Sequence, residues 1–368
     1  MQRTLSAVTV GLFAFIACPG VALAGDSFQK APDEIYQDGV AASRTDPAKA
    51  VGLYRTAAEA GSTRAMVALA ARHMHGAGVA RDESEGFRWY QRAAEKGDAT
   101  AMFLLGRAFA AGRGTSQDDA AAFAWFGKSA AQGEPRAMNA LGVAFAQGKG
   151  TSVDHAAAAE WYRKAAEEGD VNAMGNLALS YFDGAGVPQD RAQGMHWLKV
   201  AATCGDATAM VALGDRLSET EGNAPDFAAA FGWYAQAAER GNTTASVNMG
   251  VMLAEGRGTA KDEVRAAAIF TEAAAKGVPE AMFNLAGLHE QGRGVAKSDE
   301  FAYFWAMNGT AALADESKRE GAQAFAARLS GKLDARTREA TLARHETWKS
   351  VHIGAGTGLA AASARRDD

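Results

Sequence analysis

A chain of 368 residues is longer than one small core needs, and its 48% hydrophobic and 22% charged content excludes global disorder. A net charge of -5 excludes the gathered basic excess of a nucleic-acid binder. With 41 glycines against 7 prolines, turns are well marked and few positions forbid helix.

The first residues read as a leader. Arg3 precedes an apolar run over Leu5 to Ala17, and Ala22-Leu23-Ala24 before Gly25 has the small-x-small pattern that a signal peptidase accepts. Cleavage after Ala24 is expected, giving a signal peptide over 1–24 and a periplasmic or secreted chain. A second reading places a lipid on Cys18, since Phe15-Ile16-Ala17-Cys18 approximates a lipidation box with Phe in place of the usual Leu. No later run approaches the roughly 20 apolar residues of a membrane-spanning helix, so no transmembrane segment is expected. After cleavage only Cys204 remains, which leaves no internal disulfide to form. Pro32 to Ser43 and Pro47 to Ala60 then predict a helix pair, a capping segment over 25–61.

From residue 62 to 314 the chain repeats. Ala65, Ala101, Ala137, Ala173, Ala209, Ala245 and Ala281 stand 36 apart. Trp89, Trp125, Trp161, Trp197, Trp233 and Trp305 hold a second register at that period, with Ile269 at the missing place. Gly97, Gly133, Gly169, Gly205, Gly241 and Gly277 hold a third, which Gly61 extends backwards. In the unit from Asp98, Ala101, Leu105 and Phe109 form one apolar stripe, and Gly112-Arg113-Gly114 ends that helix as a cap. Asp118 is expected to cap a second helix carrying Ala122, Trp125, Phe126 and Ser129-Ala130, which Gly133 closes. One such pair cannot bury both faces, so seven repeats must stack, with the Trp and Phe rings filling the space between them.

The pattern A-x-x-x-L-G, G-x-G-V/T, D-x-x-x-A-x-x-W-Y-x-x-A-A-x-x-G resembles the Sel-1-like repeat, a relative of the tetratricopeptide repeat. It is complete in Ala137-Met138-Asn139-Ala140-Leu141-Gly142, Gly148-Lys149-Gly150-Thr151, Asp154 and Trp161-Tyr162-Arg163-Lys164-Ala165-Ala166. The resemblance covers about residues 46 to 311. It implies an all-α fold, an α/α solenoid wound as a right-handed superhelix of 36-residue helix-turn-helix repeats with terminal capping helices. It also implies a non-enzymatic periplasmic scaffold or adaptor that holds partner proteins or peptides on a concave face, in envelope signalling or assembly, touching a membrane sensor or an envelope complex. Two units depart from the pattern. The fifth has Thr220-Glu221-Gly222 before Asn223-Ala224-Pro225, which predicts a turn of different shape, and the last runs Tyr303-Phe304-Trp305-Ala306 without a closing glycine.

Beyond Asp315, Gly321 to Leu333 and Arg336 to Trp348 predict two C-terminal capping helices within 315–352, and a Gly- and Ala-rich tail over 353–368 is expected to be disordered.

The sequence offers little chemistry. No two of the seven histidines stand four apart on a helix, so no metal site is expected. His73 and His289 share the register of Phe109, Phe145, Tyr181, Leu217 and Leu253 and read as structural. The Gly-x-Gly turns follow helices, which reads as capping and not as a nucleotide loop. No Gly-x-Ser-x-Gly elbow appears and Cys204 has no evident base partner, so neither catalytic residues nor a cofactor are expected. The alternative class, a penicillin-binding or β-lactamase-like protein, is implied by cysteine-rich Sel-1-like proteins, which carry a Cys pair in each repeat; this chain has none.

One surface carries a binding expectation. If Ala101, Leu105 and Phe109 face inward, Phe103, Leu104 and Arg107 point the opposite way. The Phe103 register reads Val67, Phe103, Asn139, Gly175, Val211, Val247, Phe283, and the next reads Ala68, Leu104, Ala140, Asn176, Ala212, Asn248, Asn284. A mixed apolar and amide lining suits a peptide groove, which makes Phe103, Arg107, Asn139, Asn176, Val211, Asn248, Phe283 and Asn284 the expected partner-binding residues. On this reading Phe103 can be truncated at little cost to stability. The bland alternative is that these residues pack on the adjacent first helix. Arg113, Lys149, Arg257 and Arg293 share a turn position, where they form an interrupted positive edge or are simply solvated loop charges.

Overall fold

A computed structural model of the protein describes residues 30–219 and 224–353. The expected leader, Cys18, the turn at 220–223 and the tail after Ile353 lie outside them. The described residues form eighteen α-helices and one 3-10 turn at Glu316–Lys318, with no strand. The fold is an α/α solenoid of helix pairs with a period of about 36 residues.

The chain falls into two compact units, one running to Ala101 and including Arg113–Thr115, the other comprising Met102–Gly112 and Ser116 onward. In the first, α1 (Pro32–Ala42) packs on α2 (Pro47–Glu59), α2 on α3 (Thr63–His75) and α3 on α4 (Glu83–Glu95). The helix α5 (Ala99–Ala111) carries the division within its first turn. The second unit holds α6 (Asp119–Ala130), α7 (Pro135–Gln147), α8 (His155–Glu167), α9 (Val171–Asp183), α10 (Arg191–Thr203) and α11 (Ala207–Ser218). It continues through α12 (Phe227–Glu239), α13 (Thr243–Glu255), α14 (Glu263–Ala275), α15 (Pro279–Gln291), α16 (Asp299–Ala312), α17 (Arg319–Ser330) and α18 (Ala335–His352). From α6 to α17 each helix packs on the next, and α18 returns to α16.

Local chemistry fixes the ends of each pair. Asp118, Asp154, Asp190, Asp226 and Asp262 each accept a hydrogen bond from the backbone N–H three residues on, at 2.9–3.0 Å, which satisfies an otherwise orphaned donor at the start of the second helix. The N–H of each capping Asp donates back to a carbonyl of the first helix, as Asp154 does to Phe145 at 2.9 Å. Asp226 keeps that bond, to Leu217 at 2.9 Å, although α11 ends on Glu219 in extended conformation and not on a left-handed glycine.

The two glycines of each Gly-x-Gly turn do different jobs, which corrects the reading of both as caps. The first, such as Gly184 (φ +69°), ends the helix in left-handed conformation. The second lies against the preceding repeat. A Cβ on Gly150 would overlap the backbone carbonyl of Asp119, and one on Gly186 or Gly294 that of His155 or Glu263, each the first residue of the previous repeat's second helix. Glycine is required there both by positive φ and by backbone approach.

Packing also shifts the aromatic register by one residue. The expectation that the tryptophans fill the space between units holds for Trp89, which is buried, but Trp125, Trp161, Trp197, Trp233 and Trp305 are half-buried. The following residue is the deep one: Tyr90, Phe126, Tyr162, Leu198, Tyr234 and Phe270 are all buried. Its ring takes the room left by a first-helix glycine. A Cβ on Gly142 would stand 2.5 Å from the Tyr162 ring, and one on Gly106 2.6 Å from that of Phe126. The outer tryptophan faces are covered by cations three residues on, with Lys128 3.9 Å above Trp125 and Lys164 4.5 Å above Trp161.

Candidate functional site

The second unit contains a cavity of about 930 Å³ between α5, α6, α7 and the start of α9. Phe103, Phe123, Phe126 and Val143 supply its apolar wall, while Arg107, Arg136, Lys149, Asp119 and Asp170 supply charge. The Phe103 ring lies 6.0 Å from Phe126, and the Arg136 guanidinium sits 5.0 Å over it. Arg136 is itself held by Glu134, 2.8 Å from its Nε, which keeps its charge on and pushes its pKa up. Asp170 is buried and caps α9, accepting from the Ala173 N–H at 2.7 Å; desolvation raises its pKa despite that bond.

Three of the eight expected binding residues meet in this cavity: Phe103, Arg107 and Asn139. Phe103 is only 8% exposed, however, and belongs to the core with Phe126 and Leu141. The expectation that it could be truncated cheaply is therefore wrong, because its ring clusters with Phe126 of α6 and Leu141 of α7 and lies under Arg136. Arg107 is exposed and Asn139 half-buried. Asn176 joins the site indirectly, donating from Nδ2 to Asn139 Oδ1 at 2.9 Å.

The other four lie elsewhere. Val211 packs partly buried on the central core. Asn248 donates to Asp215 Oδ1 at 3.3 Å, which also accepts from the Tyr234 hydroxyl at 2.6 Å, so here the amide staples successive first helices. Phe283 and Asn284 line a separate cavity of about 170 Å³, and a Cβ on Gly309 would lie 2.9 Å from the Phe283 ring.

The basic turn position explains itself by geometry. Arg113 Nε is 3.2 Å from Glu83, and its Nη2 donates to the Met74 carbonyl at 3.4 Å. Arg293 repeats this five array positions on, 2.6 Å from Glu263 and 2.5 Å from the Ala254 carbonyl. These arginines bolt one repeat to the one before, so neither a free positive edge nor plain solvated charge describes them. At the equivalent place stand Lys149 and Asp119, two shorter side chains that make no such pair among the described residues and border the cavity instead. Sequence reasoning marked Lys149 only as a turn charge and passed over Arg136, Phe123 and Asp170, whose contribution arises from contacts one repeat away.

His73 is buried with neither ring nitrogen partnered, whereas His289 is half-buried, stacks 5.2 Å from Phe301 and meets the Ala296 carbonyl at 3.2 Å. Cys204 is an exposed thiol at the C-cap of α10. Among the described residues no group of three or more His, Cys, Asp and Glu is placed to hold a metal, and no helix is long and apolar enough to cross a membrane.

A family model for the Sel1 repeat matches residues 31–62, 63–98, 99–134, 135–170, 171–206, 207–242, 244–278 and 279–306. The first of these segments covers the helix pair expected to cap the array. The chain is similar to the solved Sel1 repeat protein from Oxalobacter formigenes, at 30% identity, covering 65% of this chain and 99% of that one, with a TM-score of 0.60. It is also similar to a protective antigen present in uropathogenic Escherichia coli strains that displays an SLR fold, at 24% identity, covering 87% of this chain and 84% of that one, with a TM-score of 0.48. No curated protein matches the chain. Eight matched segments, carried on helix pairs of one period, establish that the chain belongs to the Sel1 repeat family, whose tetratricopeptide-related solenoids generally serve as protein-interaction scaffolds.

Proposed function

We propose that the protein is a non-enzymatic periplasmic scaffold that holds a partner protein through an extended segment laid in the cavity beside Phe103. The segment presents an apolar side chain to the phenylalanine wall and a carboxylate to Lys149 and Arg107. The observation that carries this reading is the cavity itself, whose volume of about 930 Å³ combines an aromatic wall with three cations around two carboxylates. The protein-binding habit of Sel1 repeat scaffolds supports it in general terms. The leader pattern ending at Ala24 supports a periplasmic place, with an envelope complex or a membrane sensor as the partner.

The test is a peptide-display selection on the purified full chain, repeated with Lys149→Glu. Enriched peptides should pair an acidic residue with a large apolar one and lose about tenfold or more in affinity to the Lys149→Glu variant. Enrichment of basic peptides, or equal binding to both proteins, sinks the groove assignment. N-terminal sequencing of the protein recovered from a periplasmic fraction should begin at Gly25; retention of Met1, or a lipid on Cys18, overturns the processing reading.

A further inference from the structure

The two C-terminal capping helices enclose a second, chemically different cleft. Both α17 and α18 pack on α16, and between them lies a cavity of about 630 Å³. Its polar lining comprises Arg319, Gln323 and Ser330 from α17, Tyr303 and Thr310 from α16, and His345 and Lys349 from α18. No carboxylate lines it. The nearest acidic partners stand outside, with Glu316 3.5 Å from Arg319 and Glu346 3.6 Å from Lys349, both largely exposed.

Two contacts preorganise this cleft. Arg319 Nη2 donates to the Leu313 carbonyl at 3.2 Å, which fixes where the guanidinium stands. His345, only 8% exposed, has Nδ1 2.6 Å from Oδ1 of the wholly buried Asn308, so its remaining nitrogen, Nε2, is the one left for a ligand. Two cations whose ion pairs run outward to largely exposed carboxylates, together with a buried histidine, give a cleft lined by positive charge and by no carboxylate.

We propose that the cleft between α17 and α18 binds an oxyanion, a phosphate or a carboxylate, through Arg319, Lys349 and the Nε2 of His345. Burial holds the His345 pKa down, Glu346 opposes this and Lys349 adds to it. Arg319 from α17 is the other charge lining the cleft, and Tyr303 from α16 its other titratable group. A bound oxyanion favours the imidazolium, whose Nε2–H can then donate to it, so occupancy strengthens as pH falls from about 8 to about 6.

The experiment titrates the full chain calorimetrically with inorganic sulfate, which stands in for phosphate because its charge does not change in this range, and, separately, with acetate, at about pH 6 and about pH 8. Binding of either probe that is tighter at the lower pH and weakened about tenfold by Lys349→Gln supports the site, and the probe preferred tells a phosphate from a carboxylate ligand. Because Arg319 also holds the Leu313 carbonyl, Arg319→Gln is judged only if its melting curve matches the parent; Lys349→Gln decides otherwise. No heat with either probe at about 10 mM, or binding unchanged in Lys349→Gln, overturns the proposal.

Discussion

Substituting alanine at three glycines of one neighbourhood separates backbone strain from repeat docking. Gly169, Gly184 and Gly186 all have positive φ, at +90°, +69° and +76°. An alanine in any of them carries a left-handed penalty of about 1–2 kcal/mol. The surroundings differ. Nothing lies within 4 Å of a Cβ on Gly169, and on Gly184 the nearest atom, in Gln189, is at an ordinary 3.4 Å. On Gly186 the Cβ would overlap the His155 carbonyl and stand 2.6 Å from the Ala156 nitrogen, below any real contact and against backbone that cannot swing aside. Overpacking of that kind adds about 1–3 kcal/mol. Gly186→Ala should therefore cost about 2–5 kcal/mol against about 1–2 for the other two. Because the added strain falls between two repeats, it should also weaken coupling and broaden or split the transition. Urea unfolding followed by circular dichroism and tryptophan fluorescence reads both effects. Coincident midpoints for the three variants would show that the second glycine of the turn does not dock the repeats.

Two further outcomes follow from the packing. Tyr162→Ala, which empties a buried site against Gly142, should cost about 3–5 kcal/mol, whereas Trp161→Ala, half-buried under Lys164, should cost about 1–2 kcal/mol; equal losses in denaturant melts would return the tryptophan to the deep core. Glu290 is held by Arg328, at 2.9 Å to Nη2, and by Lys332 at 2.7 Å, which pull its pKa down to about 2 from the ordinary 4.5. A depressed acid stabilises the fold above its ordinary pKa and loses that contribution as pH falls towards 2, so the melting temperature of the parent should exceed that of Glu290→Gln near neutrality and converge with it in acid. A gap that does not change with pH would mean that the charge of Glu290 does not join α15 to α17.

Much of this protein is local and was therefore legible. The period, the two helices of each unit and the Asp caps follow from spacing and from what glycine and aspartate do to backbone within a few residues. The expected flanking pairs at Pro32 and Pro47 fall within a residue or so of α1 and α2, because proline and Asp46 mark helix starts directly. At the C-terminus α18 runs on to His352, beyond the expected Trp348, since no glycine or proline stops it earlier.

What only the tertiary structure decided is the identity of partners one repeat away. Helical periodicity separates the faces of a helix but not two neighbours on the same face, so it could not tell that Tyr162 and not Trp161 meets Gly142. Nor could it tell that Phe103 is buried in a cluster with Phe126 and Leu141, since every first helix in a stacked array has two packed flanks. Arg113 and Arg293 read alike as loop charges because the glutamates that hold them lie 30 residues earlier in the chain. The cavity lies where Lys149 and Asp119 stand in the places of that arginine and glutamate, and which side chains meet across a repeat interface is set by how the helices dock.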